Sequence, residues 1–340
     1  MRQAVMTAAV RRAMRTRWLV DLVGRKRTDP GLDRQIAAAL EVQRLAKLPS
    51  LESMEPPAAR HFAEAGLSPM DLAPEPMDQV IDLFISSIPV RVYVPFGATG
   101  DWFVYFHGGG GVIGSIAASE PVARYLAAKT RCTVASVEYR LGPEHKHPAA
   151  IEDASTAFAG LAERVPPGRQ LIAGGDSFGG FLTAHVDHHA LMTGKRQPDL
   201  QVLIYPLVDL TLTSPSIERF ADGYLLTKPT IYWFRENYMH ASDDRRAGSP
   251  WFWTDLAGSA PAIVATAGFD PLVDEGDAWV DRLRAAGTSV RHHANPSLVH
   301  GFLAMAGAVD AAHAATDRIC AEVVSMLRAS SSTPRSPRSR

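Results

Sequence analysis

The sequence is poor in cysteine, in net charge and in long apolar runs, and each shortage excludes something. Two cysteines in 340 residues, Cys132 and Cys320, lie far apart. They have neither the spacing of metal ligands nor that of a disulfide framework, which fits a reducing compartment. No run approaches the roughly 20 apolar residues of a membrane-spanning helix. The apolar patch Met6–Val10 is too short for a signal-peptide core, and Arg11 and Arg12 follow it at once. Lysine plus arginine (35) nearly cancel aspartate plus glutamate (36). A global field that would attract nucleic acid or acidic substrates is therefore absent. No internal repeat is visible. The expectation is a cytoplasmic globular protein without a nucleic-acid partner, and a homodimer is left open.

What is present suits a packed body. Apolar residues make up 46% of the chain and charged residues 21%, enough for a sizeable core and too apolar for wholesale disorder. The length allows one large domain or two small ones. The neutral total hides basic ends. Residues 1–27 hold eight Arg or Lys and one acid, Asp21, and 328–340 hold four Arg and no acid. Met1 to Val23 lacks Gly and Pro and repeats apolar residues near helical spacing. A basic amphipathic helix there fits peripheral contact with an anionic membrane; the competing reading is a lid helix with its arginines in water. A second helix is expected from Asp33 to Ala46, after which Pro49, Pro56 and Pro57 break the chain.

From Gln79 the pattern becomes that of strands. Val80–Leu83 and Val90–Val94 alternate, while Trp102–Phe106, Thr133–Val137, Gln170–Ala173, Leu200–Tyr205 and Ala262–Ala267 are short continuous apolar runs. Helical stretches at 121–129, 149–163, 179–192 and 275–286 separate most of them. Such alternation predicts an α/β fold with a mostly parallel sheet covered on both faces. Residues 209–250, rich in aromatics, interrupt the rhythm and read as an inserted lid. The expected division is 1–78 N-terminal cap helices, 79–208 and 251–328 catalytic body, 209–250 cap insertion, and 329–340 a disordered low-complexity tail.

Gly175-Asp176-Ser177-Phe178-Gly179 fits G-x-S-x-G between an expected strand and an expected helix. That context is what a nucleophile elbow requires: a sharp turn that holds the serine exposed at a helix N-terminus. His107-Gly108-Gly109-Gly110-Gly111 follows the strand Trp102–Phe106. Glycines turn backbone amides into a pocket without side-chain obstruction, as an oxyanion hole needs. We assign Gly108, Gly109 and Phe178 as its amide donors, with His107, Gly110 and Asp176 in support. A phosphate loop fits poorly, because no G-K-[ST] or G-x-G-x-x-G pattern accompanies the glycines.

A nucleophilic serine needs a base, and the base an orienting carboxylate. On this kind of sheet the chain order is serine, acid, histidine. Asp270 follows the strand Ala262–Ala267, and His300 comes 30 residues later, before a last helix. Both positions lie on the rim that carries Ser177. Asp274, Glu275 and Asp209 are rival acids. His292 and His293 fall in an expected edge strand. His185, His188 and His189 have helical spacing but lack the H-E-x-x-H form of a zinc site, so no metal and no cofactor is expected. Tyr139–His145 reads as a structural turn with Arg140 and Glu144 paired.

In these stretches the sequence resembles the hormone-sensitive-lipase-like, or bacterial family IV, esterases. The matching residues are HGGGGVIGS from His107, EYRLGPEHKHPAAIED from Glu138, GGDSFGG from Gly174, DPLVDEG from Asp270 and VHGF from Val299. The resemblance spans about residues 80–328. It implies an α/β-hydrolase fold with an eight-stranded type of sheet and a helical cap. It also implies hydrolysis of carboxylic esters by Ser177, Asp270 and His300. Phe178 stands where the family usually has alanine, and Phe181 where a small or amide side chain is usual. Short- to medium-chain esters are the expected substrates. Amide or N-acyl hydrolysis on the same residues, and a non-catalytic receptor, are the alternatives.

Overall fold

The computed structural model describes residues 2–332 apart from Lys26, Thr28, Ser68 and Pro69; for 2–8, 65–67 and 330–332 it describes backbone only. The N-terminal part carries α1 (Arg2–Arg15), α2 (Arg17–Gly24), α3 (Arg34–Leu45) and α4 (Pro56–Leu67). The body carries β1 (Gln79–Ile85), β2 (Ile88–Val94), β3 (Trp102–Phe106), α5 (Ile116–Thr130), β4 (Thr133–Val137), α6 (Ala149–Ala162), β5 (Leu171–Asp176), α7 (Phe178–Thr193) and β6 (Leu200–Ile204). After β6 come α8 (Pro215–Arg219) and α9 (Lys228–Tyr238). The body resumes with β7 (Ala262–Phe269), α10 (Val273–Ala285), β8 (Val290–Val299) and α11 (Asp310–Ser332).

The eight strands form one sheet in the order β1-β2-β4-β3-β5-β6-β7-β8. β2 runs antiparallel to both β1 and β4, and the remaining neighbours are parallel. β4 and β6 are buried along their whole length and β3 beyond Trp102, as expected of strands covered on both faces. Alternate residues feed opposite layers. Phe103 and Tyr105 join a core with α5 and α11, while Val104 and Phe106 join one with α6 and α7.

Four expectations about elements change. The N-terminal helix is broken at Thr16, whose φ of −87° and ψ of 94° are extended and whose hydroxyl donates to the Arg12 carbonyl at 2.8 Å. Pro56 and Pro57 open α4 instead of breaking the chain, because the first turn of a helix does not use their missing N–H groups. α11 continues to Ser332, so 329–332 are helical and not a disordered tail; 333–340 lie outside the described residues. Gly174 and Gly175 extend β5, because Phe103 packs where a Gly174 side chain would stand.

The cap sits over the carboxyl ends of the strands in two groups. Met14 of α1 and Ile36 and Leu40 of α3 share a core with Phe302, Leu303 and Met305. Ala59 of α4 and Ile231 and Tyr238 of α9 share one with Phe178 and Phe181.

Candidate active site

Ser177 is the single residue between β5 and α7, and it makes the whole turn. Its φ is 54° and ψ −115°, a conformation costly for any residue with a side chain and kept only where the surroundings enforce it. The Ser177 amide donates to the Ile204 carbonyl at 2.8 Å, and the Leu207 amide donates to the Ser177 carbonyl at 3.2 Å. A Cβ at Gly175 would lie 2.6 Å from the Gly179 backbone, and one at Gly179 would collide with the Phe106 carbonyl. The small flanks of the motif are therefore steric necessities.

His300 lies just past β8 and Asp270 just past β7. His300 Nε2 is 2.9 Å from Ser177 Oγ, and Nδ1 is 2.8 Å from Asp270 Oδ2. The Leu272 amide donates to the other Asp270 oxygen at 2.8 Å. Asp270 is 1% exposed and His300 8%. An Nδ1–H that donates to the carboxylate leaves Nε2 as acceptor for the serine hydroxyl. The ring is held further by Tyr205, with ring centroids 4.8 Å apart.

The rival residues are engaged elsewhere. Asp274 binds Arg219 of α8 at 2.5 Å. Glu275 is buried and accepts the amides of Val208 and Asp209 at 2.7 and 3.1 Å; burial holds its carboxyl well above the ordinary range. Asp209 binds the hydroxyls of Thr211 and Thr213. His292 faces Thr266 and Asp277, and His293 faces Glu322. His185 packs against Phe181 and Trp253, with burial pushing its pKa down to about 3. His188 binds Asp255. Arg140 and Glu144 are paired, though not with each other: Arg140 grips Asp153 and Glu152, and Glu144 takes Arg60.

The glycine loop requires one correction. The Gly108 amide does not point into the site but donates to Asp176 Oδ1 at 2.9 Å. Tyr105 donates to the same oxygen at 2.6 Å, and Tyr205 to the other at 3.3 Å. Asp176 is thus the clamp that ties the loop to the elbow. Among the described residues the amides of Gly109 and Gly110 have no partner, and that of Phe178, first in α7, has no acceptor one turn back. Gly109 and Gly110 have φ of +114° and +61°. His107 braces the loop. Its Nδ1–H donates to the Gly108 carbonyl at 2.7 Å, and the Tyr139 hydroxyl donates to the His107 carbonyl at 2.7 Å. Burial depresses the His107 pKa, which keeps the ring neutral. Arg60 of α4 was not visible as a site residue in the sequence. It donates to the carbonyls of Val112 and Gly142, both at 2.8 Å, and so ties the cap to the loop.

Ser177 opens into a cavity of about 730 Å³. Its walls are mostly apolar: the cap supplies Val10, Leu40, Ile231 and Phe234 among others, and the body Met305. Phe178 is 1% exposed and packs on Phe181 and Tyr238, with its ring beside Gly111.

The strand order, the strained serine and the chain order serine, aspartate, histidine define the class: an α/β-hydrolase. The chain belongs to the hormone-sensitive-lipase-like, bacterial family IV, esterases of that fold, and it is a serine ester hydrolase. A family model described as alpha/beta hydrolase fold matches residues 103–304. The carboxylic ester hydrolase LipN of Mycobacterium tuberculosis is 40% identical over 256 residues, 71% of this chain and 67% of that one. The ethyl acetate hydrolase of Pseudomonas putida is 32% identical over 293 residues, 82% of this chain and 91% of that one. Among solved structures, LAE6, an α/β-hydrolase enzyme from the metagenome of Lake Arreo, Spain, aligns with a TM-score of 0.83. It is 34% identical, and the alignment covers 87% of this chain and 98% of that one.

Proposed function

We propose that Ser177, His300 and Asp270 carry ester hydrolysis through an acyl-enzyme. The observation that supports it is the continuous hydrogen-bond path from Ser177 Oγ through His300 to Asp270, at 2.9 and 2.8 Å. Ser177 Oγ attacks the ester carbonyl carbon while its proton passes to His300 Nε2. Asp270 orients the ring and stabilises its charged form. The amides of Gly109, Gly110 and Phe178 receive the oxyanion. The carbon–oxygen bond to the alcohol then breaks, and His300 returns the proton to the departing oxygen. Water repeats the cycle on the acyl-enzyme, with His300 as base. Ser177→Ala is expected to lower turnover of p-nitrophenyl butyrate by about 10³-fold or more. Equal turnover by the two proteins would reject the assignment.

Short- to medium-chain acyl groups are the proposed preference, with the Phe178 ring limiting the space beside the oxyanion site. The proposed division is a body of 79–208 and 251–328, capped by 1–78 and 209–250.

Contact with an anionic membrane surface is part of the same proposal. Among the described residues no helix is long and apolar enough to cross a membrane. Within α2, Trp18 and Leu22 stand one turn apart and are 69% and 57% exposed, and Arg25 follows at the end of that helix. The protein is placed in the cytoplasm in this reading, and its free thiols, Cys132 and Cys320, are buried. Co-sedimentation with phosphatidylglycerol vesicles is expected to exceed that with phosphatidylcholine and to fall in the Trp18→Ala/Leu22→Ala variant. Equal binding to both vesicles, or no loss in the variant, would reject it. Pairing as a homodimer is read by light scattering in the same samples.

A further inference from the structure

The catalytic path leaves one buried carboxyl in the cavity unused. Asp71 lies between α4 and β1, is 8% exposed, and lines the same cavity as Ser177. One oxygen accepts the Leu72 amide at 2.8 Å. Among the described residues no side chain donates to the carboxyl. The nearby cation, Arg11 of α1, donates instead to the Asp71 backbone carbonyl. The segment cannot swing away easily, because the Gly307 amide donates to the Met70 carbonyl at 3.0 Å and a side chain at Gly307 would collide with the Asp71 backbone. The result is a fixed carboxyl with an open oxygen in a mostly apolar cavity. A buried carboxylate oxygen without a donor is costly; the cost is lowered by a ligand that supplies one.

We propose that Asp71 is a substrate-binding residue that receives a basic amine carried on the acyl or alcohol part of the ester. This deepens the ester-hydrolase reading and rests on it. The charges of the cavity agree with a cationic partner. Glu64 of α4 and Asp176 share the lining with Asp71, and the cation among the lining residues, Arg235 of α9, is bound to Glu236. The other titratable groups of the lining are Tyr105 and Tyr205, spent on Asp176, with Tyr224, Tyr238, His107 and His300. In the free enzyme burial pushes the Asp71 carboxyl up to about 7; Arg11 opposes the shift and Asp176 adds to it. Above that pH the carboxyl is ionised and pairs with an ammonium. Below it the carboxyl is neutral and the pairing is lost.

Two isosteric ester pairs test this. On the alcohol side they are 2-(dimethylamino)ethyl butyrate and 3-methylbutyl butyrate. On the acyl side they are butyl 4-(dimethylamino)butyrate and butyl 5-methylhexanoate. The ratio of kcat/KM within a pair cancels the titration of His300. In the wild type one pair is expected to favour the amine by about tenfold or more, with the ratio rising between about pH 6 and about pH 8. Asp71→Asn is expected to abolish both the preference and its pH dependence, and Asp71→Glu to retain part of it. Fluorophosphonate labelling of Ser177 reports that each variant is folded. No amine preference in either wild-type pair, or a preference that survives Asp71→Asn, overturns the proposal. A wild type that hydrolyses none of the four esters and resists the fluorophosphonate overturns the ester-hydrolase reading instead.

Discussion

At the scale of single residues, the site depends on where backbone amides point. Gly108 looks like an oxyanion donor in the sequence because it follows His107. The structure spends its amide on Asp176, while those of Gly109 and Gly110 have no partner among the described residues. This difference was not readable from glycine spacing, since it depends on a carboxylate 68 residues away. The positions of Ser177, Asp270 and His300 were readable, because each follows a strand on one rim. Gly110 has φ of +61° and faces Phe234, so Gly110→Ala is strained and crowded. The strain and the clash are expected to move the Gly110 amide away from the oxyanion and lower kcat by about 10²–10³-fold, as when one oxyanion donor is lost. Gly168, with φ of +79° and nothing within 4 Å, is the control for backbone strain alone. If Gly168→Ala and Gly110→Ala lose activity equally, the donor role is wrong.

At the scale of elements, the strands were the most legible part. Trp102–Phe106 and Thr133–Val137 are continuous apolar runs, and both coincide with β3 and β4. The cap was less legible. Pro56 and Pro57 look like breakers until the helix that follows them is seen, and a proline in the first turn leaves no trace in apolar spacing. α4 matters because Arg60 bridges it to the oxyanion loop and to Glu144. Arg60→Ala removes charge-assisted hydrogen bonds to two carbonyls and a carboxylate. It is expected to cost about 1–3 kcal/mol, read as a lower urea midpoint. An unchanged midpoint would mean that α4 is not anchored there. Where the chain leaves the body after β6, buried Glu275 accepts the amides of Val208 and Asp209.

At the scale of the molecule, the small net charge conceals three regions. A basic N-terminal lid, a basic end and an acidic body sum to −1. The lid is joined to the body through apolar contacts of Met14, Ile36 and Leu40, while Arg11 binds the Asp71 carbonyl within the N-terminal part. Those arginines are thus not all in water: Arg11 is docked, while Arg12, Arg15, Arg17 and Arg25 form no ion pair among the described residues. Acid stability is expected to depend partly on His185, half-buried between Phe181 and Trp253. His185 titrates at about 3 when folded and near the ordinary 6.5 when unfolded. Its folded pKa is depressed, so the unfolded chain binds the proton first. Stability is fully present above about pH 6.5 and falls by up to about 1.4 kcal/mol per pH unit below it. Between pH 7 and pH 5, the loss in urea midpoint is expected to be smaller in His185→Leu than in the wild type. Equal losses would place the acid-sensitive group elsewhere.

The central claim is that Ser177 forms a covalent acyl-enzyme. Mass spectrometry of the intact protein after treatment with a p-nitrophenyl alkylphosphonate tests it most directly, followed by peptide mapping. The account predicts one phosphonyl adduct per chain, located on Ser177, with none on Ser177→Ala and slow labelling of His300→Ala. An adduct on another residue, or equal labelling of Ser177→Ala, would contradict it.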